Sequence, residues 1–393
     1  MPKKINKIEL VNAEPVKKTA SEIRNSLNRK FNGKTQLASD KEQIVRMPTG
    51  IMELDYVLAG GFPMGKIALL AGGESSYKST ICMKTIAETQ KRGGVAAWVD
   101  AERAFNKQWA QANGVDLENL LLIEPDTAEE AYDTMTSLIN DGVTTIVLDS
   151  LNTLSIAKEL YEDGKEGKEG DKMASITKNG MGVAQKLTSQ WLRTAFGRIE
   201  KAKALVLIIT QFRDNFNAGT YGNPNTVAGG RAVRFASSVT LLTRIIGGAE
   251  GRIMKGTEQV GQKYAVKVDK TRFSKPNAVA EFTTYGPNVD NFNAMLKIGL
   301  EKGFIQRLNV KTYSVNNRNF SSKMALLQAF HDEPELFNWC KQQMQIAIDG
   351  PLFSYDPYSQ DDVAMKEKAL QEAREVQGED FVVPDEEDEI ETN

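Results

Sequence analysis

Residues 66–80 read KIALLAGGESSYKST, and the fold of this stretch sets the architecture of what surrounds it. KIALLAG is a continuous apolar run, the pattern of a strand covered on both faces. GGESS is a turn, and the amphipathic stretch beyond it predicts a helix over 79–92. A strand, a turn and a helix N-terminus together cradle phosphate. The first helical turn offers unpaired N–H donors and the positive end of its dipole. The loop comprises Gly72, Gly73, Glu74, Ser75, Ser76, Tyr77, Lys78, Ser79 and Thr80. Lys78 is placed to reach the β- and γ-phosphates of a nucleotide, and the Ser79 hydroxyl to hold Mg²⁺. One position departs from the usual GxxxxGK[ST] pattern: Tyr77 stands where glycine is expected. By pattern alone a chance glycine–serine turn is the alternative, so the surrounding sequence decides.

Further apolar runs at 95–100, 119–125, 144–150 and 204–210 alternate with amphipathic stretches at 104–113, 127–141 and 181–201. That alternation predicts a three-layer α/β domain on a mainly parallel sheet. After Arg234 the runs SSVTLLTRI, KYAVKVDKT and AVAEFTTY follow without intervening helices, as expected of an antiparallel extension. VDAE places Asp100 and Glu102 at the C-terminal end of a strand, the edge where open α/β sheets bind ligands. A carboxylate there can orient or deprotonate an attacking water. TIVLDS ends in Asp149, which suits a partner of Mg²⁺ or a simple strand-end cap. ITQF places Gln211 on the same edge, where an amide can bond a γ-phosphate and report its loss to the following loop. That loop, RDNFNAGTYGNPNTVAGG at 213–230, carries Arg213, Phe216 and Tyr221. Arginine with interleaved aromatics suits the phosphates and bases of a single strand. A second glycine-rich, charged stretch covers 161–182. Both also fit ordinary surface loops.

The rest of the composition narrows the function by exclusion. One histidine, His331, leaves no histidine triad or cluster, and Cys82 and Cys340 are too few for a disulfide framework or zinc site. Both read as reduced thiols of a cytoplasmic protein. No apolar run approaches the roughly 20 residues of a membrane span, and MPKKINKIEL lacks the apolar core of a secretory signal. The net charge of −3 hides an asymmetry. The first 34 residues hold nine Lys or Arg against three Glu, and from Glu379 onward there are eight acids and no base. The acidic block fits a solubilising tail, or one that competes with an anionic ligand for basic surface. Residues 17–31 read as a short basic helix with Ile23, Leu27 and Phe31 on one face, which must dock on something to be stable. The expected division is a basic N-terminal segment at 1–43, an α/β core at 44–285, a small C-terminal domain at 286–350 and a polar to acidic tail at 351–393.

In order along the chain, TGIMELDYVLAGGFPMGKIALLAG, GGESSYKST, WVDAERAF, NLLLIEPDTAEEA, VLDSLNTL, MGVAQKLTSQWLR, ITQFRDNF, GNPNTVAGGRAVRFASSV, KVDKTRF and AEFTTYG closely resemble the RecA family of ATP-dependent DNA strand-exchange proteins. The resemblance runs from about Thr49 to Phe292, well over half the chain. It implies a RecA-like P-loop ATPase core with a short N-terminal helix and a small α/β C-terminal domain, using ATP and Mg²⁺. It makes 1–43 an oligomerisation segment and 44–285 the ATPase core. Position by position it assigns Glu102 as the base that activates water, Asp149 as the metal-associated acid and Gln211 as the γ-phosphate sensor. Trp109 matches the aromatic on which adenine stacks, and Asn106 lies near a base-contacting position. Lys270 and Arg272 match two basic residues that reach the neighbouring subunit's ATP, which implies a helical filament. The loops ending at Met181 and spanning 213–230, the latter with Gly229 and Gly230, match those that hold single-stranded DNA. Lys186, Arg193 and Arg234 match basic positions near that DNA or the interface, and Phe235 an interface aromatic. The implied partners are single-stranded and double-stranded DNA, further copies of the chain, and single-strand-binding and loading proteins. The implied location is the cytoplasm of a bacterium or a phage-infected host.

Three departures stand out. An aromatic at Tyr77 is similar to certain bacteriophage members of the family. The loop at 161–182 is longer and more charged than in bacterial members, and Arg272 replaces a lysine with a stiffer, forked donor. Two other functions compete. A ring-forming helicase on the same core usually carries a substantial N-terminal domain, against about 45 residues here. An ATP-binding protein without DNA binding would not need GNPNTVAGG after an arginine–aromatic loop.

Overall fold

The computed structural model describes residues 18–31, 33, 35–156, 181–214, 225–227 and 230–349. The chain divides into two compact units, up to Val45 and from Arg46 onward. In the first, helix α1 (Ala20–Lys30) starts at a capping box. The Glu22 amide donates to the Thr19 hydroxyl, and the Thr19 amide donates back to the Glu22 carboxylate at 2.8 Å. Arg24 pairs with Asp40 at 3.2 Å. None of the residues of α1 is buried, Ile23 included.

The second unit opens with a two-residue ladder between β1 (Arg46–Met47) and β2 (Phe62–Pro63), with α2 (Met52–Val57) between them. Then follow β3 (Ile67–Gly72), α3 (Lys78–Lys91), β4 (Ala96–Asp100), α4 (Lys107–Ala112), β5 (Leu120–Ile123), α5 (Ala128–Asn140) and β6 (Thr145–Asp149). Next come α6 (Met181–Ala202), β7 (Leu205–Asp214), β8 (Asn225–Val227), α7 (Gly230–Ala236) and β9 (Val239–Ile245). Helix α8 (Gly248–Gly251), β10 (Arg252–Lys255), β11 (Glu258–Thr271), β12 (Val279–Tyr285) and β13 (Asn288–Val289) complete the sheet. Its order is β13-β12-β11-β9-β3-β7-β6-β4-β5, with β10 on β11 and β8 on β7.

Strand β3 is central because it is apolar on both faces. Ala68 and Leu70 pack with Ile81 and Ile86 of α3, whereas Ile67 and Leu69 pack with Met135 of α5 and Ile199 of α6. Alternate side chains of one strand thus feed two cores. On the second face Tyr132 and Trp191 stack at 5.0 Å. Each polar tip finds a partner, Tyr132 with the Thr188 hydroxyl and Trp191 donating to Thr136.

The sequence-based plan is corrected in two places. SSVTLLTRI was expected in the antiparallel extension, but β9 pairs parallel with β3, Leu70 facing Leu241. The reason is α7, a helix between β7 and β9 that returns the chain in the same direction. The antiparallel part begins at β11. Strand β7 also runs past Thr210 to Asp214 and pairs antiparallel with β8, so the described residues of the stretch at 213–230 include paired strand rather than loop alone.

Beyond the sheet, α9 (Asn291–Lys302), β14 (Ile305–Arg307), β15 (Tyr313–Val315), β16 (Arg318–Phe320), α10 (Lys323–Asp332) and α11 (Pro334–Asp349) enclose a third core. It contains Ile298, Leu326, Phe330 and Cys340 and takes in Met52 of α2. Among the described residues no helix is long and apolar enough to cross a membrane.

Candidate active site

The turn between β3 and α3 is built by close approach. A Cβ on Gly72 would lie 2.2 Å from the Thr243 hydroxyl and 2.5 Å from that of Ser76, so only glycine fits. Ser76 and Thr243 share a buried hydroxyl–hydroxyl bond of 2.8 Å, and Ser76 also contacts the Gly73 carbonyl. The Lys78 ammonium folds back beneath the turn, donating to the Gly72 carbonyl at 3.1 Å and the Ser76 hydroxyl at 3.3 Å. Burial lowers the Lys78 pKa, while the carboxylates of Asp149 and Glu102 oppose the shift.

Tyr77 occupies the last position before α3 with φ +74°, a left-handed backbone. For a non-glycine residue that costs about 1–2 kcal/mol. Its ring is buried against Tyr264 at 4.7 Å and Phe282 at 5.6 Å. Burying an aromatic ring contributes about 1.5–3 kcal/mol, which offsets the strain. The bulk therefore points into the core, as a phosphate loop requires. Burial holds the Tyr77 phenol well above its ordinary pKa, so it stays neutral.

The strand ends around this loop are in register. Gly72 faces Gln211 across β3 and β7, and Asp100 faces Asp149 across β4 and β6. The Ser79 hydroxyl donates to Asp149 at 3.0 Å. Burial pushes the Asp149 carboxyl up to about 7, with Glu102 and Asp100 adding to the rise. The amides of Ala101 and Glu102 donate to the Asp149 carbonyl, folding the chain after β4 over the end of β6. The Ser150 hydroxyl donates to Glu102 Oε1. The two strand-end acids thus divide in role. Asp100 is buried and accepts from the Phe105 amide at 2.8 Å, whereas Glu102 is partly exposed.

A cavity of about 450 Å³ lies beside the loop, lined by Ser75 through Thr80, Trp109, Gly261, Tyr264 and Gly286 among others. Trp109 is held there by its indole N–H, which donates to Thr80 at 3.1 Å. An aromatic wall at one side and a phosphate cradle at the other suit a nucleotide. The Asn106 oxygen caps α4 through the Trp109 amide, and Asn106 does not line the cavity. Among the described residues no group of three or more acidic, Cys or His side chains could hold a metal. Ser79 and Asp149 supply two oxygen donors, which fits Mg²⁺, an ion that takes its remaining ligands from phosphate and water. A cation at that point would also hold the buried Asp149 ionised.

Lys270 and Arg272 are not brought to this cavity. The Lys270 ammonium donates to the carbonyls of Arg234, Phe235 and Ser237 at the C-terminal end of α7. Arg234 pairs with Asp269 at 2.8 Å. Lys186, Arg193 and Arg272 line a different cavity together with Phe196 and the exposed Phe235. Met181 and Gly230 begin α6 and α7, and Arg213 lies in β7 opposite Thr226. Phe216, Tyr221, Gly229 and the stretch at 157–180 lie outside the described residues. The sequence reading missed Thr243, Ser150 and Tyr264. The two threonines of the otherwise apolar run SSVTLLTRI, Thr240 and Thr243, were the available signal for the first of these.

Residues 18–289 match the RecA N-terminal domain family. The chain is 35% identical over 310 residues to protein RecA of Trichormus variabilis, covering 78% of this chain and 82% of the relative. To protein RecA of Symbiobacterium thermophilum it is 38% identical over 296 residues, covering 73% and 80%. For protein RecA of Chloroherpeton thalassium the values are 34% over 331 residues, 83% and 88%.

Proposed function

The chain belongs to the RecA family, a membership that implies ATPase activity, and from it we propose a DNA recombinase. On this reading it polymerises on single-stranded DNA as a helical filament, and with bound ATP it pairs homologous duplex and exchanges strands. The observation that carries the proposal is the course of β11. The strand lines the nucleotide cavity at Tyr264 and carries Lys270 six residues on, about 20 Å away at ~3.3 Å per residue. One chain cannot bring both ends of a strand to the same phosphate. Lys270 and Arg272 therefore do not serve their own chain's phosphate, and by the family resemblance they are assigned to the ATP of a neighbouring copy, which makes the proposed active site a shared one.

ATP with Mg²⁺ supplies the phosphoryl group and the charge neutralisation that hydrolysis needs. The protein's own residues do the rest. Lys78 and the amides at the start of α3 bind phosphate oxygens, and Ser79 with Asp149 provides the metal's oxygen donors. Glu102 orients the attacking water and accepts its proton at Oε2, because Oε1 is held by Ser150. Trp109 supplies a stacking face for the base. Gln211, in register with Gly72, is assigned to link the state of the phosphate to the paired strands β7 and β8.

Arg213, Phe216, Tyr221, Gly229, Gly230, Met181, Lys186, Arg193 and Arg234 are assigned to DNA or to the interface beside it. Backbone and stacking contacts of this kind give salt-sensitive affinity with little sequence preference. The four-part division at residues 43, 285 and 350 is proposed with it, as is a kinship with bacteriophage members at Tyr77. The test is ATP hydrolysis with and without single-stranded DNA, coupled to a strand-exchange assay and electron microscopy. DNA-stimulated turnover, exchanged product and helical filaments are expected. Closed rings would favour a helicase instead.

A further inference from the structure

The phosphate loop of this chain has an anchor that a glycine at position 77 could not provide. Tyr77 is held left-handed at φ +74° with no side-chain capping bond, and its ring is 7% exposed. Its two ring neighbours are each other's register partners, Tyr264 on β11 and Phe282 on β12. Those two rings lie 6.0 Å apart. The three form a cluster continuous with the core that contains Ile81, Val266 and Ala280. Tyr264 is also one of the residues lining the nucleotide cavity, beside Ser75 through Thr80. The Tyr77 hydroxyl is buried and makes no hydrogen bond among the described residues, so the ring alone makes the attachment.

We propose that Tyr77 is a positioning residue: its ring clamps the phosphate loop onto the β11–β12 pair and fixes the loop in its phosphate-binding geometry before nucleotide arrives. The physical logic is preorganisation. A glycine at this position adopts the same backbone without strain but also populates many others, so the loop must lose that freedom on binding. A buried ring removes the freedom in advance. The backbone amides of Lys78 and Ser79 follow Tyr77 directly, so an error in its ψ reorients both. Tyr264 belongs to the clamp as well as to the cavity wall, whereas Phe282 belongs to the clamp alone, so losing the Tyr77 or the Phe282 ring should release the loop.

The inference rests on the ATPase reading only for its consequence, not for the clamp itself. The experiment therefore has two readouts on the full chain. Amide hydrogen exchange without nucleotide reports loop order, and equilibrium binding and turnover of Mg·ATP report its use. The variants are Tyr77→Phe, Tyr77→Gly, Phe282→Ala and the Tyr77→Gly/Phe282→Ala pair. Tyr77→Phe should match the parent within about two-fold, because the lost hydroxyl has no partner. Tyr77→Gly should exchange about ten-fold faster over residues 73–80 while β3 and β4 keep their protection. The Mg·ATP Kd should rise about ten-fold in that variant, with kcat at saturation within about three-fold of the parent. Phe282→Ala, which takes away the other ring against Tyr77 without touching the cavity wall, should do the same, and the pair should be no worse than either alone.

Parent-like exchange and affinity in Tyr77→Gly would overturn the proposal. So would independent, multiplying effects of the two substitutions, or faster exchange through the whole core, which would make the ring mere packing. A parent chain that binds no ATP would sink the ATPase reading while leaving the exchange result to judge the clamp.

Discussion

Gln211 and Gly72 are register partners on the adjacent parallel strands β7 and β3. The first residue of the phosphate loop is thereby hydrogen-bonded, through the sheet, to the strand that pairs with β8 one residue later. Gln211→Ala should leave DNA-independent turnover within about three-fold of the parent and abolish its stimulation by single-stranded DNA. Normal stimulation in that variant would remove Gln211 from the coupling.

The Ser76–Thr243 bond ties the loop to β9. Thr243→Val keeps the shape and removes one hydroxyl, while Ser76 keeps the Gly73 carbonyl and Lys78 as partners, so the cost is that of one hydrogen bond, about 0.5–1.5 kcal/mol. A lower melting temperature and weaker Mg·ATP binding are expected together. A loss of stability with unchanged binding would confine Thr243 to the core.

Asp149 predicts a pH dependence whose sign is fixed. Its carboxyl lies at about 7 when folded, raised by burial from an ordinary value of 3.8. The folded state thus holds the proton more tightly than the unfolded chain. Its contribution to stability is complete below the unfolded value and is lost as pH rises through the folded one. Asp55, also raised to about 7 by burial, adds a term of the same sign. Nucleotide-free protein should lose stability as pH rises from about 4 to 7, and Asp149→Asn should reduce the slope. Mg²⁺ competes with the same proton, so Mg·ATP affinity should fall toward acid, by up to about ten-fold per pH unit below 7. Titrations of affinity against pH decide this, and a flat profile would exclude Asp149 as a metal ligand.

Glu102 and Ser150 separate the proposed base from its support. Glu102→Ala should bind ATP like the parent and hydrolyse it about 10²–10⁴-fold more slowly. Ser150→Ala should lose less, because the carboxylate remains and only its orientation is freed. Single-turnover rates measure both, and full activity in Glu102→Ala would require another base.

The parts of this site that were legible in sequence are those whose meaning is local. Lys78 and Ser79 follow a strand and a glycine turn, and Asp149, Glu102 and Gln211 end or follow apolar strands that must share one sheet edge. The helix α7 was not legible, because GRAVRFA is only seven residues long and follows directly on a glycine- and asparagine-rich run that reads as loop, and without it β9 looked antiparallel. Thr243 lies 167 positions from the hydroxyl it meets, a distance at which spacing carries no information. Tyr77 looked like a defect in the loop for the same reason. Its justification is in Tyr264 and Phe282, on strands that only the folded sheet brings beneath it.

The central claim is that each nucleotide is served by two copies, Lys78 from one and the Lys270–Arg272 pair from the next. Mixing Lys78→Ala protein with Lys270→Ala protein on single-stranded DNA tests it most directly. Each alone should be nearly inactive. In an equimolar mixed assembly, interfaces that join an intact Lys78 to an intact Lys270 arise by chance about one time in four, so about a quarter of parent ATPase should return. A mixture no more active than its components, or full activity in Lys270→Ala alone, would contradict the shared site.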